Sequence, residues 1–192
     1  MKSKRQRQAK NIRLFRKVHR TTGIILFVFF IFVSVTGILL GWKKHSGEII
    51  IPKTYEGTSN DLKDWRTISE LHTSANGILH DSIDSELSII IDRIDIRKKK
   101  GSVKFIYEDH FWEIQLDGAT GKLLSIGKRH SDLIENIHDG SILDNYFGTN
   151  KGQIKLIYTS IMGLALLLFS ISGFWIWYGP KRMKKSVNNK NY

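Results

Sequence analysis

The chain has no cysteine, so any part of it outside the cytoplasm is held without disulfides, by packing or by its tethers. Acid is missing from both ends: all 18 Asp and Glu lie between two long apolar runs, Gly23 to Trp42 and Ile154 to Tyr178. Neither run contains a histidine. No Gly-x-Gly-x-x-Gly is present, which excludes the common flavin and nicotinamide fingerprint, and no His-Glu-x-x-His, which removes the helical zinc-hydrolase pattern. Ser, His and Asp occur between the runs, but without a nucleophile elbow they indicate no hydrolase.

What is present is a charge partition. The first 20 residues carry nine Lys or Arg and the tail after Tyr178 five more, while Lys43 to Lys151 carries 15 basic and 18 acidic residues. The net charge of +12 and pI of 9.9 therefore belong to the tails. A nucleic-acid groove needs its charge on a folded face; here it lies on short segments abutting apolar spans, and no nucleic-acid partner is expected. Basic residues flanking a span stay cytoplasmic, which predicts a two-span protein of the cell inner membrane with both termini cytoplasmic and the middle outside. Membrane lipids are then partners, anionic headgroups attracting each tail.

The expected organisation is a basic tail over 1–20, a transmembrane helix over 21–42, an extracytoplasmic domain over 43–153, a second transmembrane helix over 154–178 and a basic tail over 179–192. Gly23 to Trp42 holds no charged residue and, as a helix, rises about 30 Å, enough to cross a hydrocarbon core. A secretory signal is the competing reading. The run is longer than a signal's apolar region, and Gly41-Trp42-Lys43-Lys44-His45 offers no small-x-small cleavage site, so an uncleaved anchor is expected. Lys155 alone interrupts the second run, near enough to its outer end to snorkel to the headgroups. Trp42, Trp175, Trp177 and Tyr178 fit interfacial belts, and Gly179-Pro180 is expected to stop the helix.

Each span contains a small-residue tetrad, Ser34-Val35-Thr36-Gly37 and Ser170-Ile171-Ser172-Gly173. Small residues let helices approach closely. The spans run in opposite directions, so the tetrads lie roughly 10 Å or more apart in depth and cannot face each other within one hairpin. Contact between chains, or with a partner, is the alternative to packing within the hairpin.

About 110 residues separate the spans, enough for one small domain. Leu62, Trp65, Ile68 and Leu71, spaced by three, predict a helix over 60–75, with Thr67 and Glu70 as a capping box. Leu87, Ile89 and Ile91 alternate, then Ile94 and Ile96 alternate on the other parity, which predicts a bulge between them. A turn at Lys98 to Gly101 precedes a strand through Val103, Phe105 and Tyr107. A further strand carries Trp112, Ile114 and Leu116, and a turn at Asp117 to Gly121 leads into a strand over 122–126. The fold class is therefore α+β: two transmembrane helices flanking a helix followed by an antiparallel meander.

The stretch Phe111-Trp112-Glu113-Ile114-Gln115-Leu116-Asp117-Gly118-Ala119-Thr120-Gly121-Lys122 resembles the end of a PepSY domain, whose hairpin carries an Asp-x-x-Thr-Gly turn. Val18-His19-Arg20-Thr21-Thr22-Gly23, leading into a run ending in Thr36-Gly37, resembles the first helix of the PepSY-associated transmembrane family. Ile137-His138-Asp139-Gly140-Ser141-Ile142, followed by a run with Ser172-Gly173 and Trp175-x-Trp177-Tyr178, is similar to that family's closing helix. Together the motifs cover most of the chain.

The resemblance implies a tethered extracytoplasmic binding or accessory module, with a role in iron acquisition. Larger relatives include reductases of ferric siderophores that bind haem b through histidines, which implies the alternative of a haem-bearing electron-transfer subunit. PepSY domains also occur in protease propeptides, implying a third reading, regulation of an exported peptidase. His19 and His138 occupy the motif positions, and His45 is a further candidate on the outer side; neutral imidazoles are competent axial ligands. A span separates His19 from His138, so one chain cannot clamp one haem between them, and a homodimer or a partner membrane protein is required. The interfacial alternative, His19 as an anchor among Arg16, Lys17 and Arg20 and His138 as a helix-terminal residue beside Asp139, stays open. With two spans and no flavin or nicotinamide fingerprint, the chain is not expected to be an enzyme on its own.

Overall fold

A computed structural model describes residues 4–149 and 152–188; Lys2, Lys151 and Lys190 of the basic count lie outside the described residues. The chain divides into a helical unit, Met1–Thr36 with Ile137–Tyr192, and a sheet unit, Gly37–Asn136.

Two helices dominate the helical unit, α1 over Lys4–Trp42 and α5 over Gln153–Asn188, both long and apolar enough to cross a membrane. Their outward faces are apolar and open, with Ile24, Phe32 and Leu164 all more than half exposed. A pair of helices apolar on its outside is stable in lipid, not in water. Met162, Ala165 and Ser172 lie buried along one face of α5, and Thr36 is buried on α1.

Contrary to the expected stop at Gly179-Pro180, α5 continues through Pro180. Proline costs a helix one hydrogen bond and crowds the preceding turn. Gly179, with no side chain, relieves part of that crowding, and a freed carbonyl near a membrane surface can reach water.

The sequence reading left 130–147 without helices. Two are present there, α3 over His130–Asp139 and α4 over Ser141–Phe147. Between them Gly140 has a left-handed φ of 81°, and a Cβ there would come within 2.8 Å of Tyr158. Asp139 accepts hydrogen bonds from the Ser141 N–H and hydroxyl at 2.9 and 2.5 Å, which starts α4. Asp144, one turn into α4, accepts the Ile154 and Lys155 N–H groups at 3.0 and 2.7 Å. Its carboxylate thus occupies two of the orphan donors at the start of α5, where negative charge is stabilising.

In the sheet unit four strands, β1 (Ile91–Arg97), β2 (Ser102–Tyr107), β3 (Trp112–Asp117) and β4 (Leu123–Lys128), pair antiparallel in chain order. The expected irregularity is a register shift between Ile91 and Arg93. Leu87 to Ile90 lie outside β1, so their alternation marks the approach to the strand. Lys98–Lys100 form a 3₁₀ turn closed by a left-handed Gly101.

Helix α2 spans Ile68–Ser82, later than the 60–75 expected; Leu62–Asp64 form a separate 3₁₀ turn. The capping box decides the start: the Glu70 N–H donates to the Thr67 hydroxyl and the Glu70 carboxylate accepts the Thr67 N–H. These bonds satisfy end groups that a continuous helix through Thr67 would not leave free. Leu71, Ala75 and Leu79 of α2 pack against Val103, Phe105, Tyr107, Ile114 and Leu116 to form the core.

The second face of the sheet is polar yet buried. Segment 50–58 crosses it, the Tyr55 carbonyl accepting from Ser102 and Gln115, the Gly57 N–H bonding Lys100 and Thr58 bonding Asp117. Beneath lie Lys104 and Glu113 joined at 2.6 Å, and Arg129 joined to Glu113 at 2.5 Å and to Asp132 at 2.9 Å. The α+β arrangement read from the sequence, two membrane-spanning candidates flanking an antiparallel sheet with helices, is the one observed.

Candidate functional site

His19 sits on α1 and its imidazole faces α5. Its Nδ1 lies 3.0 Å from the Ser172 hydroxyl and 3.2 Å from the Phe169 carbonyl. A carbonyl only accepts, and the single Ser172 proton is donated to that same carbonyl at 3.0 Å. Both neighbours of Nδ1 therefore act as acceptors, and Nδ1 carries the hydrogen. In the neutral ring this leaves Nε2 with its lone pair, the tautomer a metal ligand uses. Phe169 stacks on the ring at 3.9 Å between centroids. A Cβ at Gly173 would stand 3.4 Å from His19 Cε1, and one at Gly23 would stand 3.3 Å from Phe169. The glycines of both motifs thus let the ring and its aromatic support lie close to the helices.

His138 repeats the arrangement from the opposite direction. Its Nδ1 lies 2.8 Å from the Thr36 hydroxyl, whose proton is given to the Phe32 carbonyl at 2.6 Å. With the Thr36 hydrogen on that carbonyl, the hydroxyl accepts from Nδ1, and in the neutral ring Nε2 keeps its lone pair. Asp139, next in sequence, pairs with Lys155 at 2.5 Å. Burial alone would raise the Asp139 carboxyl, but bonds from Lys155 and Ser141 outweigh it and hold the group below the ordinary carboxylate range. A fixed anion beside His138 and a fixed hydroxyl on its ring define one rigid orientation.

Two tetrads and two histidines thus pair crosswise: the tetrad of α5 holds the histidine of α1, and that of α1 holds the histidine of α3. The 17 residues between His19 and Thr36 correspond to about 25 Å of helix. His19 and His138 belong to one unit but stand at opposite ends of it. His45 lies in the sheet unit, exposed, in the 3₁₀ turn Lys43–His45. The structure does not bring the three together. Of the other histidines, His72 bonds Asn76, His80 the Leu87 carbonyl and His110 the Ser88 carbonyl. Among the described residues no cluster of three or more His, Asp or Glu side chains could hold a metal ion.

In the sequence Thr36 and Ser172 stand out as small residues suited to packing and as part of the motifs, not as partners of the histidines. Their partners lie 102 and 153 positions away, and no local spacing encodes that. Phe169 and Lys155 were likewise read as span residues; the aromatic stack and the Asp139 ion pair appear only in three dimensions.

A family model, the PepSY-associated TM region, matches residues 1–179. No curated protein and no solved structure matches the chain.

Proposed function

The chain belongs to the PepSY-associated TM region family, a membrane protein family, and we propose that within it this protein is a haem b-bearing electron-transfer module of the inner membrane. The observation that carries this reading is the shared placement of His19 and His138: each sets Nδ1 within hydrogen-bond distance of a span hydroxyl, at 3.0 and 2.8 Å, an arrangement that with Nδ1–H donating turns Nε2 to a ligand. Ligating histidines use this outer-shell device to fix ring orientation and tautomer, and an interfacial anchor has no need of it.

Neutral imidazoles with an available Nε2 suit a haem iron. When bound, haem supplies one-electron chemistry that no side chain here can provide. The chain's own part is to present one lone pair near each membrane surface, to hold each ring by a hydroxyl and an aromatic or ionic neighbour, and to keep its outer faces in lipid. Because about 25 Å of helix separates the two rings' anchoring positions, each chain gives one imidazole per haem. A second copy supplies the other, so the working unit is a homodimer. With the termini cytoplasmic, as the basic tails favour, His19 serves the inner side and His138 the outer.

A second reading, a tethered extracytoplasmic binding module without a cofactor, is favoured by one feature of the sheet. Ile94 and Ile96 of β1 share the face of Phe105 and Val103 yet are 37% and 53% exposed.

Detergent-purified full-length protein from haem-supplemented cells separates the two. Haem at two per dimer, with the Soret band halved by His19→Ala or His138→Ala and lost in the double variant, is expected. A purified wild type with no Soret band would leave the binding module as the function.

A further inference from the structure

Beyond the histidines, the helical unit contains, among the described residues, a largely apolar hollow with a few polar groups where the start of α1 meets the end of α5. It has a volume of about 300 Å³ and is lined by Gln8, Asn11, Phe15, Trp175, Gly179 and Arg182, with Ile12 at the back. Phe15 and Trp175 both line it, their rings stacked at 5.8 Å and 14°. Gly179 forms the floor, where a Cβ would press against Ile12 at 2.9 Å. The amides of Gln8 and Asn11 and the Arg182 guanidinium make no hydrogen bond or ion pair among the described residues. One cation and two amides, unpaired among the described residues, thus line a cavity that also holds two aromatic rings.

The cavity lies on the faces that carry His19 and Ser172. Phe15 is one turn before His19, and Trp175 is about one turn after Ser172. Arg182 is ten residues beyond Ser172, about 15 Å along the axis. Long helix side chains lean back toward their helix N terminus, and for Arg182 that direction is toward Ser172. The donor set suits a carboxylate: a guanidinium gives a charge-assisted pair and the amides give neutral N–H bonds. The flat aromatic wall suits the edge of a planar ring. A b-type haem joins these two features, because it carries two carboxylates on one edge of its macrocycle.

We infer that the cavity is the carboxylate subsite for a haem held at His19, with Arg182 as its ion-pair partner and Gln8 and Asn11 as supporting donors. The inference rests on the haem reading above and adds to it an orientation, the propionate edge toward the chain termini. Arg182 is a positioning residue here, acting on affinity and not on the iron.

The test uses full-length protein in detergent, titrated with hemin and with hemin dimethyl ester, which lacks the carboxylates, and followed by Soret absorbance. Titrations run in the His138→Ala background, so that only the His19 site is read, with wild type beside it fitted to two sites. Hemin is expected to bind about 10- to 100-fold more tightly than the ester, the range of one charge-assisted bond. Arg182→Gln should bring hemin to the level of the ester and leave the ester unchanged, and Arg182→Lys should fall between. Equal binding of hemin and ester, or an equal loss of both in Arg182→Gln, overturns the subsite. If His19→Ala abolishes hemin binding while Arg182→Gln changes nothing, the subsite fails and the haem reading stands; if no protein binds hemin, both fail. Should Arg182→Gln instead reduce co-purifying phosphatidylglycerol with hemin affinity intact, the cavity is a lipid headgroup site and the inference is wrong.

Discussion

The imidazole Nδ1 of His138 lies 2.8 Å from the hydroxyl of Thr36, 102 positions earlier in the chain. The Thr36 hydroxyl also lies 2.6 Å from the Phe32 carbonyl, and with its hydrogen there it accepts from Nδ1. At the other end Ser172 does the same for His19. Each hydroxyl of a span thus meets the Nδ1 side of one ring.

Removing either hydroxyl should therefore weaken metal binding while leaving both histidines in place. Ser172→Ala and Thr36→Ala are each expected to lower haem affinity at one site by about 10- to 100-fold. Two-site Soret titration measures this, with His19→Ala and His138→Ala as the full-loss references. Unchanged affinity in both hydroxyl variants would show that the rings need no tautomer control.

Glu113 is the shared anion between Lys104 and Arg129, with side chains 1%, 2% and 8% exposed. Glu113→Ala leaves the buried Lys104 without its partner and Arg129 with Asp132 alone, and should destabilise the sheet unit by about 3–5 kcal/mol. Urea denaturation followed by the fluorescence of Trp65 and Trp112 reads the change. Replacing Lys104 with Met and Glu113 with Leu together should be milder than Glu113→Ala, since less unpaired charge remains buried.

Acid should loosen this same face. Burial alone would raise the Asp132 carboxyl, but bonds and charges from Arg129 and Arg93 outweigh it and lower the group from its ordinary value of 3.8. A lowered folded pKa means stability that is present above 3.8 and lost as pH falls through the folded value. Asp117 shifts the same way, its burial outweighed by bonds from Ala119, Thr58 and Thr120. Asp132→Asn should lower stability at pH 7 and converge with wild type in strong acid. Chemical denaturation at several pH values tests this, and a variant as stable as wild type at neutral pH would contradict it.

The start of α2 depends on two reciprocal bonds between Thr67 and Glu70. Thr67→Ala should cost about 1 kcal/mol and raise amide exchange in the first turn of the helix before any change at Leu79. Uniform exchange along α2 in the variant would mean that packing alone holds the helix end.

Several features were legible in the residues because the physics behind them is local. A run of apolar residues without charge is long enough to span a membrane or it is not, and Lys and Arg beside it are counted directly. Alternation with period two placed β2 and β3 on the correct residues, and the parity change before Ile94 marked the register shift that the sheet shows. The capping box at Thr67 was equally local, yet the apolar spacing of Leu62 and Trp65 drew the expected helix start too early. Two neighbouring signals competed there, and hydrogen bonding to the helix end prevailed.

Tertiary structure decided what distance along the chain conceals. Lys104, Glu113 and Gln115 alternate like residues of a solvent-facing strand surface, and only segment 50–58 folding across them makes that face an interior. Thr36 and Ser172 read as small residues suited to close helix packing, which they are; that each also accepts from a histidine depends on α1, α3 and α5 coming together. The sequence determined the two spans and the strands of the meander, because those choices are settled by neighbours a few residues away, whereas α3 and α4 carried no local signal of comparable strength. The state of the two histidines depends on a hydroxyl more than a hundred residues distant, and only the folded chain supplies it.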